Sequence, residues 1–182
     1  MSPTAQRSRR PATNPARRPA TPQEAKALAH PDRLRIIRLT YDTPLTNKEL
    51  AERLGRNPGT TLYHLRVLVA TGFVAAEAAR KGNRGAAEVP YRSTGKSWTV
   101  DVGEPTDDIT TALLDAFRAE ILESPADTRR TSRLALRLTP ARRAELEQRL
   151  EALIEEAASW KPAADGEPWA LFVALHARPS AR

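Results

Sequence analysis

"NPGTTLYHLRVLVATGF", residues 57–73, reads as a helix whose outward side is not that of an ordinary solvated helix. Asn57 and Pro58 mark its start: the Asn side-chain oxygen accepts an orphan backbone N–H, and the fixed φ of proline suits the first helical position. At about 100° per residue, Thr61, Leu65, Leu68 and Val69 gather on one side and predict the buried face. Gly59, Thr60, Tyr63 and Arg66 point the other way, with Leu62 and His64 on the flanks. The outward set holds no acid. It combines a glycine that lets the backbone come close, a hydroxyl, a phenol and a guanidinium, which suit approach to a phosphate chain and donation to base edges. A solvated face that happens to lack acids would look the same in isolation, so the neighbouring segments decide.

Upstream, "TNKELAERLG" (46–55) carries a capping box, Thr46 with Glu49, and stops at Gly55, which can take the left-handed conformation that closes a helix. The linker from there to Asn57 is about three residues long, which forces a sharp crossing. Before it, "HPDRLRIIRL" (30–39) opens at Pro31 and sets Leu34, Ile37 and either Ile36 or Leu39 inward, and "TPQE" (21–24) is a further capped start. Downstream of Gly72, residues 73–94 offer two extended segments around a Gly-Asn-Arg-Gly tip, a β-hairpin with a basic loop. Two capped helices, a tight turn and a basic hairpin make a helix-turn-helix with a wing. In that arrangement the start of the reading helix enters the major groove and "RKGNRG" (80–85) lies along the adjacent backbone.

Residues 25–97 resemble the winged-helix domain of the ArsR family of bacterial transcriptional regulators, through "ALAHPDRLRIIRL", "LTNKELAERLG", "TTLYHLRVLVATGFV" and "VPYRST". The resemblance implies a homodimer paired through flanking helices, which represses promoters until a small-molecule effector releases it. By position, Thr46 and Asn47 open the supporting helix. Thr60, Tyr63, His64 and Arg66 lie on the reading helix, and Lys81, Asn83 and Arg84 form the wing tip. With Asn57 and Gly59 at the start of the reading helix, these are the candidate DNA-binding residues. The implied partner is double-stranded DNA, bound at an inverted-repeat operator.

The chain departs from the family in its sensor chemistry. Founding members of the family sense metals or arsenite through a cysteine pair near the reading helix, or through His and Asp on a C-terminal dimer helix. This chain has no cysteine, and its candidate dimer helix has no histidine. His30, His64 and His176 fall in three different predicted elements, so no metal site and no cofactor is expected. His30 reads as a structural residue at a helix start, and His64 as a flank residue touching backbone or phosphate.

The composition agrees with a nucleic-acid partner and excludes other classes. The 182 residues carry a formal charge of +7 with 40% hydrophobic content, normal for a folding chain and favourable to a polyanion. Residues 1–20 hold five arginines and four prolines without an acid, and predict a disordered basic arm. No apolar run is long enough to span a bilayer and none follows the N-terminal arginines, so a cytoplasmic protein without membrane span or signal peptide is expected. No phosphate loop, nucleophile elbow or metal-ligand spacing is present, and Glu145, Glu151, Glu155 and Glu156 alternate with arginines as a solvated helix face; no enzyme is expected. The charge would suit RNA as well, but an aromatic content of 5% offers few side chains for base-stacking platforms.

In the C-terminal half, "TDDITTALLDAFRAEILESP" (106–125) is a capped helix with Ile109, Leu113, Phe117 and Ile121 on one stripe, the expected dimer face. "RLALRL" (133–138), a helix over 139–159 with Leu146, Leu150, Leu153 and Ile154 inward, and "PWALFVALHA" (168–177) predict a strand-helix-strand unit. That unit is too short and too apolar to stand alone, and Trp160 and Trp169 are candidate walls of an effector pocket. The expected fold class is α+β: an arm over 1–20, a winged helix-turn-helix over 21–100, and a dimerisation and effector region over 104–182. The competing reading is a winged helix used as a protein-interaction module, which would show a large apolar patch on the outward face of residues 57–70.

Overall fold

The computed structural model describes residues 17–81, 87–104, 106–161, 163 and 165–178. The first elements are β1 (Arg18–Pro19), α1 (Pro22–Leu28), α2 (Pro31–Leu39), β2 (Leu45–Thr46), α3 (Asn47–Leu54) and α4 (Pro58–Ala70). The chain then forms β3 (Val74–Ala76), β4 (Arg80–Lys81), β5 (Ala87–Glu88) and β6 (Pro90–Ser93). It continues through α5 (Lys96–Thr99), β7 (Val100–Asp101), α6 (Asp107–Glu123), a 3-10 turn and α7 (Pro140–Ser159). Two compact units divide it, one ending at Asp127 and one starting at Thr128. The division falls after α6, which packs on α2.

The helix starts form where the capping residues lie. Thr21 and Thr46 each complete a capping box with the glutamate three residues on. The Asn57 side chain accepts the Gly59 N–H at 2.7 Å, and His30 starts α2 by accepting the Asp32 N–H on Nδ1 at 3.2 Å. Gly55 ends α3 at φ 62°, a left-handed conformation that costs a side-chain-bearing residue about 1 kcal/mol or more.

The core of the first unit lies between α1 to α4 and a three-stranded antiparallel sheet ordered β2–β6–β3. Leu45 pairs with Tyr91, and Val74 to Ala76 pair with Ser93 to Tyr91. Ile36, Leu50, Leu65, Leu68 and Phe73 are wholly inaccessible, so Ile36 takes the inward place that the sequence left between it and Leu39. β4 and β5 extend the hairpin, with Arg80 opposite Glu88; the expected tip residues Asn83 and Arg84 lie outside the described residues.

One expectation about this unit is corrected. The basic arm does not reach residue 20 as a free segment: Arg18 and Pro19 pair in parallel with Val100 and Asp101. Arg18 donates two hydrogen bonds to the buried Glu24 at 2.6 and 2.8 Å, Lys96 meets the same carboxylate at 2.6 Å, and Arg17 stacks 4.0 Å over the Trp98 ring. These charge-assisted bonds hold Glu24 below the usual carboxylate range, the hydrogen bond from Arg18 being the largest cause. Residues 1–16 of the expected arm lie outside the described residues. On α6, Ile109, Ala112 and Ala116 are buried in this chain; of the rest of the expected dimer stripe, Leu113 is 39% exposed and Phe117 and Ile121 are half-buried, and the neighbouring Leu114 is 47% exposed. The small alanines let α6 lie close against α2, where Arg35 holds Glu123.

In the second unit α7 forms from the Thr139 cap onward. Leu146, Leu150 and Ile154 are half-buried and Leu153 is exposed, and no described residue from Thr128 on is fully buried. The expected strands at 133–138 and 168–177 are not formed among the described residues. A strand exists only through a ladder partner, and alternation of Leu134, Leu136 and Leu138 with Arg133, Ala135 and Arg137 supplies a face but no partner. Trp160 and Trp169, expected to wall a pocket, are both largely exposed. Among the described residues no helix is long and apolar enough to cross a membrane.

Candidate nucleic-acid interface

The crossing of α3 and α4 is held by polar contacts at both ends of the turn. Asn47 Nδ2 at the start of α3 donates to the Pro58 carbonyl at 3.1 Å, tying together the first turns of the two helices. Arg56, within the turn, donates from Nε to Asp32 Oδ2 at 2.9 Å and from Nη2 to Oδ1 at 3.4 Å, anchoring the turn to α2. Asp32 is buried, so this pair is a positioning contact whose loss would strand a charge.

On this frame α4 seats Thr61, Leu65 and Leu68 in the core, and the Thr61 hydroxyl donates to the Asn57 carbonyl at 3.2 Å. Asn57, Gly59, Thr60, Tyr63 and Arg66 are exposed along the opposite side, with Tyr63 63% exposed. Among the residues of α4 the exposed side carries no acid. Val69, expected inward, is 41% exposed, and His64, expected on the reading flank, is only 5% exposed. The two exchange places because α2 crosses α4 on the His64 side: the His30 and His64 ring centroids lie 4.3 Å apart. Burial is the first cause that holds both imidazoles below their ordinary pKa. The histidines that the sequence set in separate elements therefore meet, and His64 is not a surface contact.

Thr46 is likewise withdrawn from the surface. It is buried, and its hydroxyl accepts the Glu49 N–H at 3.3 Å while donating to Glu49 Oε2 at 2.9 Å. Asn47 is half-buried and engaged with Pro58. Both shape the turn; neither side chain is presented freely to a ligand. The backbone N–H of Thr46 is the first cause that keeps the Glu49 carboxyl below its ordinary range.

At the wing, Lys81 is exposed, and Arg80 meets Glu49 at 3.1 Å, joining the hairpin to α3. A polar cleft of about 350 Å³ runs between them, with Lys48, Arg80 and Lys81 facing Glu49, Glu52 and Glu88. Lys48 is a surface cation that the sequence reading omitted; its place directly after Asn47 on the first turn of α3 was the available signal. Arg80 and Lys81 thus share their cleft with acids, whereas Arg66 lies on the side of α4 that carries none.

Residues 28–76 match the family described as a helix-turn-helix domain. No curated protein matches the chain. Among solved structures, reduced HlyU from Vibrio cholerae is 26% identical, over 49% of this chain and 77% of that one, with a TM-score of 0.31. Rv0081 of Mycobacterium tuberculosis is 29% identical, over 53% and 83%, with a TM-score of 0.32. The transcriptional repressor BigR from Xylella fastidiosa is 21% identical, over 56% and 84%, with a TM-score of 0.35. The matched segment covers α2, α3, α4 and β3, the elements whose packing has just been described. Residues 28–76 are thus a helix-turn-helix domain, and the hairpin that closes behind them makes it a winged one.

Proposed function

We propose that the protein is a DNA-binding transcriptional regulator of the ArsR type, acting in the cytoplasm as a homodimer that represses its promoter. The observation that carries this reading is the exposed side of α4, where Gly59, Thr60, Tyr63 and Arg66 stand together without an acid beside a tightly held turn. A protein-docking winged helix would need an apolar patch there, and Tyr63 and Val69 alone do not make one. The reading helix takes the base edges, Lys81 and the wing take phosphates, and the net charge of +7 favours the encounter. Leu113 and Leu114, exposed on α6, supply the dimer face.

Selection of bound sites from random duplex DNA tests the reading directly. The expected product is an inverted repeat with half-sites about 10 base pairs, or a multiple of that, apart. Recovery of no preferred sequence would remove the regulator reading. Sedimentation tests the dimer, with a stable monomer at micromolar concentration as the contrary result.

A further inference from the structure

Behind the reading helix, one nitrogen each of His30 and His64 and a carboxylate oxygen of Asp32 lie within 4.8 Å of one another. His64 and Asp32 are buried and His30 is half-buried. His64 is the anomaly: its Nδ1 is buried with no hydrogen-bond partner, and its Nε2 stands 4.0 Å from Asp32 Oδ2. That gap is too long for a hydrogen bond. A tetrahedral ion bonded at about 2.0–2.2 Å to each atom would draw the two to roughly 3.4 Å, a closure of about 0.6 Å. We propose that His30, Asp32 and His64 form a binding site for a divalent transition metal of the zinc type, joining α2 to the reading helix.

The donor set suits that ion. Two imidazoles and a carboxylate are three ligands with a fourth position left for water. Donors in a tetrahedron of such bonds stand roughly 3.4 Å apart, so the cluster closes by about 1 Å on binding. Asp32 keeps Arg56 while binding metal, because an ionised carboxylate has about four lone-pair sites. The half-exposed Arg56 guanidinium also has room to yield. Ligation by His30 gives up the 3.2 Å cap bond at Nδ1 or changes its tautomer. Either costs about one helix cap, small beside metal-ligand bonds. The site uses none of the exposed residues assigned to DNA, so its failure leaves the proposed function standing.

The test is titration of the full chain with Zn²⁺ alone, in competition with a chromophoric chelator. One equivalent is expected to bind, with affinity reduced about tenfold or more in both His64→Gln and His30→Asn. The second variant keeps an N-cap acceptor and so preserves α2. His176→Gln is expected to bind as the parent does. In the ¹⁵N-labelled parent, Zn²⁺ should shift the ring nitrogens of His30 and His64 and leave those of His176, a readout that survives if either variant unfolds. Absence of binding, unchanged affinity in either variant, or a shift confined to His176 overturns the proposal.

Discussion

Helices α4 and α7 begin alike, each with a side-chain cap followed by proline, and each carries a row of leucines. Only α4 has a core against it. Leu65 and Leu68 are wholly inaccessible beneath α2, α3 and the sheet, whereas Leu146 and Leu150 are half-buried and Leu153 is 53% exposed. A leucine row therefore tells which face of a helix seeks cover, and the surrounding elements decide whether cover exists. The same contrast separates the strands. Val74 to Ala76 alternate no better than 133–138, but they have β6 beside them and form a ladder.

The widest gap between the two helices should appear on truncation. Leu65→Ala is expected to cost about 2–5 kcal/mol in urea unfolding, while Leu153→Ala stays within about 0.5 kcal/mol. Equal losses would mean that α7 has a core of its own in solution. Within the first unit, the sides of α4 and the wing should separate next. Tyr63→Ala is expected to lose about 1–3 kcal/mol on a selected duplex and little on a scrambled one, and Lys81→Ala to weaken both alike while lowering the salt slope by about one. An unchanged preference after Tyr63→Ala would move base reading away from that position.

The smallest effect concerns Glu49, whose carboxyl is held below its ordinary value in the fold. Such a group stabilises the fold above its unfolded pKa of about 4.3, and that contribution is lost as pH falls through the lower folded value. Glu49→Gln should therefore flatten the acid limb of the stability profile, by less than about 1 kcal/mol for so accessible a pair with Arg80. An acid limb of undiminished slope would place the sensitivity elsewhere, with Glu24 the next residue to replace.

What the sequence determined by itself was local. Thr21, Thr46, Asn57, Thr106 and Thr139 mark helix starts because a cap bonds to an N–H two or three residues on. Gly55 and the short linker after it set the helix-turn-helix, and the exposed set Gly59, Thr60, Tyr63 and Arg66 followed from helical periodicity. Tertiary structure decided what depends on residues far apart in the chain: the choice of Ile36 over Leu39, the withdrawal of Thr46 and His64, the outward turn of Val69, and the capture of Arg18 by Glu24. It also brought His30 to His64, and left 133–138 and 168–177 without a ladder among the described residues. The physical reason is range: a cap or a periodic face is completed within a turn or two of chain, whereas burial, strand pairing and side-chain clusters are completed by a partner that no local pattern names.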